Sequence, residues 1–486
     1  MSHPDDSDEL KSKRICSACV GESVLSDEIE QTGEEAECSY CAETAPCWIV
    51  EALADRIETA FGHHYSRTSN EPDSWQERMM ADGESSYEWY REGEPVIDAI
   101  ETAAEIPSEA AADVQEILSD RHAEFGSDYT GEETEFSSDS YYAEISSSDQ
   151  AWLEDWHDFE KALKTEARFF SRNAAAHLAA VFGNIDKLKT RDDLPLVVEA
   201  GPALALDHLY RGRVFQSRKK LEEALCKPDL DLGSPPARNA SAGRMNAGGI
   251  SVFYGATDAG VAIAEVRPPV GSTVAVAKFS IIKPLRLLDL TALENVFDGG
   301  SIFDTSLKQR MERVAFLRSL CQRMTRPVMP DDEAFDYLAT QAVADFLATE
   351  NEPRLDGIMF PSAQSKDGRN VVLFHKAARV EAIKLPKGTE VEASSGHDTE
   401  EGWEVDYSVI EWVPPPPDSP PPEDKDDPFR FPFRADLHMP RNADHRESTL
   451  RVDPASVEVH EVNWVQVQCT AFRVSRHRLK RSDTEF

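Results

Sequence analysis

Two CxxC pairs near the start of the chain limit its folding more than any other feature. Cys16-Ser-Ala-Cys19 and Cys38-Ser-Tyr-Cys41 stand 18 residues apart. A segment this short cannot bury a core of its own. Four thiolates from two knuckles can close a tetrahedron around Zn2+, and the metal then supplies folding energy. Such a site leaves no open position for a substrate, so the expected role is structural. Two coincidental pairs or a redox dithiol is the alternative. Cys47, His63 and His64 are nearby alternative ligands, for which an ordinary thiol and an imidazole pair at a helix end is the plainer reading. Five of the eight cysteines fall in the first 47 residues, and that clustering does not suit a disulfide framework.

Charge divides the chain in the same place. Residues 1–160 hold 42 acidic against 8 basic residues, while the whole 486-residue chain has a net charge of −39. The remainder is therefore nearly neutral, at −5, and a domain boundary is expected near 160–195. A generally basic nucleic-acid-binding protein is not expected. No run of 18 apolar residues occurs, which argues against a spanning helix. The opening residues lack the apolar stretch of a signal peptide, and a soluble cytoplasmic protein is expected.

Periodicity refines the division. Residues 1–14 are expected to be a disordered leader and 15–47 the zinc module. Residues 48–192 are expected to be an acidic helical domain, with helical spacing in CWIVEALADRIETAFGHHY, VIDAIETAAEIP, ADVQEIL, DQAWLEDWHDFEKALKTEARFF and NAAAHLAAVFGNID. Phe169, Phe170, Leu178, Val181, Phe182 and Ile185 are positioned to line one face of the last two. From about residue 197 short strand-like runs take over: HLYRGRVF, GISVFYGA, TVAVAKFSI, LRLLDL, GIMFPS, NVVLFH and ARVEAIKL. Two helices interrupt them, QRMERVAFLRSLCQRM and DEAFDYLATQAVADFLATE. These runs make 197–390 one α+β domain. Residues 391–450 are an acidic, proline-rich insert, stiff and solvated where PPPPDSPPPEDKDDP lies. The period-two pattern of 451–486 is expected to return strands to the same sheet.

The chemistry concentrates in 209–268. Arg211 lies on a strand and Arg244 in a Gly/Ala loop. Two arginines beside backbone-exposing glycines can grip a pyrophosphate bidentately. Tyr254 offers a stacking face for a flat ring. Glu265, on a short helix, can stabilise an oxocarbenium-like centre or orient a ribose hydroxyl. Together they suit cleavage of a nucleotide N-glycosidic bond.

At these residues the chain resembles the RES domain, a family of bacterial toxin-like enzymes with an ADP-ribosyltransferase-like fold. The family loop GGRWN-x-x-G stands as Ala242-Gly243-Arg244-Met245-Asn246-Ala247-Gly248-Gly249. The strand-end tyrosine falls on Tyr254 and the A-x-x-E helix on Ala262-Ile263-Ala264-Glu265. Tyr337-Leu-Ala-Thr340-Gln341 and Gly357-Ile358-Met-Phe-Pro361-Ser362 resemble two later motifs. The departures are Met245 for the loop tryptophan and Ala242 for its first glycine.

The resemblance implies an NAD+-consuming glycohydrolase or phosphorylase, acting as a toxin or defence effector, with NAD+ as substrate and not a redox cofactor. Arg211 and Arg244 would bind phosphates or the nicotinamide ribose, and Tyr254 would pack on nicotinamide. Glu265 would stabilise the ribosyl cation, and Ser362 would line the pocket. Asn246 would brace its own loop. Thr340 and Gln341 would pack, or touch ligand. An Xre-type helix-turn-helix antitoxin or immunity partner is implied. A protein ADP-ribosyltransferase is the first alternative. Arg172 and His177 fit R-x4-H, resembling HEPN nucleases, which are helical and usually dimeric. A HEPN-type ribonuclease, or a non-catalytic protein working through its zinc module, is therefore the further alternative. HEPN-like N-terminal domains occur fused to RES domains, so residues 48–192 are expected to be HEPN-like.

Overall fold

The protein is described here by a computed structural model covering residues 9–123, 133–168, 171–400, 402–414 and 444–478. Most of the expected leader, Phe169, Phe170 and nearly all of the polyproline stretch lie outside the described residues. The chain folds as two compact units, Met1–Leu196 with Ala292–Met324, and Val197–Thr291 with Thr325–Phe486. Among the described residues no helix is long and apolar enough to cross a membrane.

The first unit begins with the cysteine module. Strands Arg14–Cys16, Thr44–Ile49 and Glu34–Glu37 form an antiparallel sheet, with Thr44–Ile49 in the centre. Helix Ser23–Thr32 buries Leu25 and Ile29, four residues apart on one face. Helix Val50–His64 then buries Leu53, Ala54, Ile57, Ala60 and Phe61 at helical spacing. They share one core with Val96 and Ile100 of helix Val96–Ala104 and with Val114, Ile117 and Leu118 of helix Ser108–Arg121. Asp113 ties the module to that last helix, accepting from Lys13 Nζ and Tyr40 Oη, each at 2.7 Å. Burial, reinforced by Asp113, pushes the Tyr40 hydroxyl upward, so it stays a donor. The region is not wholly helical. Tyr65–Arg67, Tyr141–Glu144 and Glu94–Pro95 form a small sheet, too short to stand out in sequence.

Residues 292–324 correct the expected boundary, because they fold with the first unit although they sit inside 197–390. Phe303 joins the first unit's core, and Arg56 donates to its carbonyl at 2.8 Å. On helix Leu307–Thr325, Phe316 stacks on Trp152 and packs tilted against Trp156, with centroids 5.9 and 5.6 Å apart. Arg313 donates to the carbonyls of Val181 and Gly183 at 3.0 and 2.6 Å. These last two close the C-terminal end of helix Arg172–Phe182, whose carbonyls lack helical partners.

The second unit is a nine-stranded mixed sheet. Its strands are β1 Val197–Ala200, β2 His208–Phe215, β3 Phe253–Ala256, β4 Thr273–Ile281, β5 Leu285–Asp289, β6 Gly357–Pro361, β7 Arg369–Leu373, β8 Leu450–Val452 and β9 Glu458–Glu461. Their order is β8-β4-β2-β3-β7-β6-β5-β1, and β9 also pairs with β4. Only β5 and β6 run parallel, which demands a long crossover. Residues 290–356 supply it. Alternating apolar residues such as Leu209, Phe253, Ala275, Ala277 and Phe279 fill one core.

Three expectations need correcting here. ARVEAIKL forms no strand, only a bridge from Val380 to Leu450. Residues 391–450 include a hairpin, Glu390–Thr399 with Gly402–Trp412. Of the C-terminal strands only β8 and β9 form, and 462–478 are neither helix nor strand. A Cβ at Gly357 would meet the Val372 carbonyl oxygen at 2.3 Å. Gly357→Ala is expected to destabilise the sheet by about 1–3 kcal/mol through overpacking, read as a lower urea midpoint.

Candidate active site

Arg211, Arg244, Tyr254 and Glu265 line one cavity of about 310 Å3, together with Tyr210, Tyr337, Phe360 and Asn370. The strand β2 carries Arg211, with Tyr210 and Arg211 paired to Ala256 of β3 and Ala277 of β4. The Arg211 guanidinium lies over the Phe253 ring at 5.1 Å. Its Nη1 is buried with no hydrogen-bond partner. Burial and the neighbouring Arg213 bring its pKa down to about 10, which leaves it a cation at neutral pH.

Helix α1, Ala259–Glu265, presents Glu265 at its last position. Asp258 caps the helix, accepting from the amides of Gly260 and Val261. A Cβ at Gly212 would meet the Ala262 carbonyl oxygen at 2.9 Å. Glycine there lets the helix that carries Glu265 approach the strand that carries Arg211. Ser362 Oγ and Asn370 Nδ2 both donate to Glu265 Oε1, at 2.5 and 2.8 Å. Ser362 is itself held by the amides of Gln364 and Ser365, at 3.0 and 3.1 Å. Ser362 thus contacts Glu265 and lines the adjoining groove.

The loop around Arg244 has little regular structure, so side chains hold it. Asn246 Nδ2 donates to the carbonyls of Ser241, Ala247 and Ile250 at 2.9, 3.1 and 3.1 Å. Its Oδ1 accepts from Tyr254 Oη at 3.0 Å, and that hydroxyl accepts from the Met245 amide at 3.0 Å. Burial pushes the Tyr254 hydroxyl up to about 12, so it remains a donor. Thr340 Oγ1 donates to the Arg244 carbonyl at 2.5 Å, and Gln341 Nε2 to the Gly243 carbonyl at 2.8 Å. Thr340 and Gln341, on helix α2 Leu338–Thr349, therefore pin the loop. Met245 is buried. The Arg244 guanidinium lies over Tyr337 at 4.9 Å.

Asn370 and the Tyr337 platform are the site residues that sequence reasoning left without a role. Asn370 is a buried polar residue, second on the strand Arg369–Leu373 and followed by Val371-Val372-Leu373. Arg172 and His177 are not brought together. Five residues of helix rotate the second about 140° from the first. Arg172 is exposed, while His177 packs against Phe159 and Trp156 at 5.4 and 5.9 Å. Burial lowers the His177 pKa.

The sulfurs of Cys16, Cys19, Cys38 and Cys41 all lie within 4.8 Å of one another. Cys16–Cys41 and Cys19–Cys38 sulfurs stand 3.6 and 3.9 Å apart. A tetrahedron of sulfurs at zinc–sulfur distance has edges of about 3.8 Å, so the cluster fits such an ion. Burial would raise the Cys38 thiol, but amides of Tyr40, Cys41 and Cys16 outweigh it and lower it to about 7. Cys47 lies outside the cluster, its thiol directed at the carbonyls of Ala36 and Ala45. His63 and His64 are also outside it.

Comparison with protein-family models matches the RES domain over residues 226–394 and HEPN/RES N-terminal domain 1 over residues 31–177. The chain carries a RES domain. Members of that family are toxin-like NAD+-degrading enzymes. The RES match takes in Arg244, Tyr254, Glu265 and Ser362, and begins after β2 with its Arg211. No curated protein and no solved structure matches the chain.

Thr340→Val keeps the shape of the side chain and removes its hydroxyl. It is expected to cost about 1–3 kcal/mol by removing the hydroxyl that donates to the Arg244 carbonyl, measured by urea unfolding.

Proposed function

We propose that the RES domain cleaves the nicotinamide–ribose bond of NAD+ and passes ADP-ribose to water or phosphate. The observation that carries this reading is the convergence of Arg211, Arg244, Tyr254 and Glu265, spread over 55 residues of sequence, on one cavity. Arg211 and Arg244 supply cationic donors for the pyrophosphate. Tyr254 supplies an aromatic wall for nicotinamide. As the glycosidic bond breaks, its electron pair leaves with the pyridine nitrogen and nicotinamide departs neutral. Positive charge then develops on the ribose. Glu265, anchored through Oε1 by Ser362 and Asn370, offers its carboxylate to that charge without having to reorganise. Water or phosphate attacks the ribose and completes ADP-ribose or its 1-phosphate. In this reading Zn2+ sits in the four-cysteine cluster as a structural ion.

Purified protein is expected to release nicotinamide from NAD+, followed by chromatography. Glu265→Gln is expected to lower kcat at least about 100-fold with little change in stability. A dependence on added phosphate identifies phosphorolysis. Transfer of label to protein instead would move the assignment to ADP-ribosyl transfer. Unchanged turnover in Glu265→Gln would overturn the reading. For the cluster, metal analysis is expected to find one Zn2+ per chain. Cys38→Ser is expected to lose it and to lower the thermal midpoint of the first unit.

A further inference from the structure

The hairpin Glu390–Thr399/Gly402–Trp412 forms a two-stranded sheet of its own. Ser395 Oγ donates to Glu222 at 2.7 Å, and Arg218 lies over the Trp403 ring at 4.4 Å. Both partners belong to helix Arg218–Cys226. The outer strand Gly402–Trp412 pairs with nothing on its far edge among the described residues. Trp403, Val405, Val409, Ile410 and Trp412 on that strand are 41–61% exposed. An apolar, open strand edge invites another strand. The hairpin also holds eight acidic residues and no lysine or arginine between 390 and 412, so an identical edge is a poor partner.

The C-terminal segment has the complementary character. Val462 still bonds to the loop before β4, donating to Ser272 at 3.0 Å. Residues 463–478 then make no backbone hydrogen bond among the described residues and are exposed throughout. Val465, Val467, Cys469 and Ala471 alternate as strand residues do, yet Val467 is 79% exposed. Arg473, Arg476 and Arg478 follow, with no acidic residue between 463 and 478. The segment's root touches the hairpin, where Tyr407 Oη donates to Glu461 at 3.1 Å. Its first residues then run the other way, with Trp464 lining a groove beside Ile263, Arg267 and Ser362. The hairpin's outer edge is thus left unfilled by its own chain.

We propose that residues 463–478 of one copy pair as a strand with Gly402–Trp412 of a second copy. Each copy gives one segment and receives one, so the contact closes as a two-fold dimer. Backbone bonds along the edge, apolar alternation and opposite charge all favour the pairing.

The test uses the full chain and its natural Cys469, which is exposed. One copy, tagged, carries Val405→Cys or Val409→Cys together with Cys469→Ser. The other, differently tagged, is unaltered. Mild oxidation of the mixture is expected to give a disulfide-linked heterodimer, lost when the second copy also carries Cys469→Ser. Light scattering is expected to show a dimer. Arg473→Glu with Arg476→Glu and Arg478→Glu should weaken it at least about tenfold, as should raised salt. Cross-linking only within a single chain carrying both cysteines would overturn the second copy as occupant. No cross-link, with the mass unchanged on truncation after Val462, would overturn the pairing itself.

Discussion

The carboxamide of Asn246 governs the geometry of the candidate site. The loop it organises has no helix or strand to satisfy its backbone, so turn bonds and side-chain donors meet its carbonyls. Asn246 serves three of them and also holds Tyr254 by its hydroxyl. Gly243 has to be glycine in this arrangement. A Cβ there would meet Tyr254 Oη at 2.7 Å and Asn246 Oδ1 at 2.8 Å. Thr340 and Gln341 then fasten the loop from helix α2. The position of Arg244 therefore depends on residues whose polar atoms are already committed to the protein. A cation aimed by several independent bonds loses less freedom when it meets a ligand.

The strands of the second unit's sheet were legible in the sequence, because HLYRGRVF, TVAVAKFSI and GIMFPS combine β-branched and aromatic residues with clear turn signals. Allegiance to a unit was not legible. The helix at 307–325 has the apolar spacing of any core helix, and spacing does not say which core it enters. Phe303 and Phe316 decide that by packing with the first unit. The two- to four-residue strands of the first unit escaped notice because context, not propensity, forms them. The segment after β9 shows the converse failure. Its alternation is a true strand signal, but a strand exists only where a neighbour supplies the ladder.

Within the site, residue types were easier to read than the division of labour among them. The resemblance singled out Glu265 and Arg244 without showing what orients them. Asn370 escaped because a polar pair, Arg369-Asn370, before Val371-Val372-Leu373 looks like a strand end. In the fold it is buried and meets the Glu265 carboxylate from β7. Ser362 meets the same oxygen from the loop after β6. Two neighbouring strand ends, about a hundred residues beyond Glu265 in sequence, thus fix its carboxylate, and no spacing rule encodes that.

Arg211 gives the strongest physical reason to expect an anion in this cavity. A buried donor left without a partner costs about 1–3 kcal/mol, and more on a charged group. Asn246, Thr340 and Gln341 have side-chain polar atoms paired within the protein, whereas Nη1 of the buried Arg211 guanidinium has no partner. Stacking on Phe253 holds the group in place without supplying an acceptor. Glu265, the carboxylate of the same cavity, has its Oε1 occupied by Ser362 and Asn370 and forms no ion pair with Arg211 at salt-bridge distance. A cation not paired with the carboxylate of its own cavity retains its charge for a ligand, and that carboxylate retains its charge for a developing cation. Opposite charges held in one cavity without neutralising each other suit a substrate that brings both a pyrophosphate and a glycosidic bond to be broken.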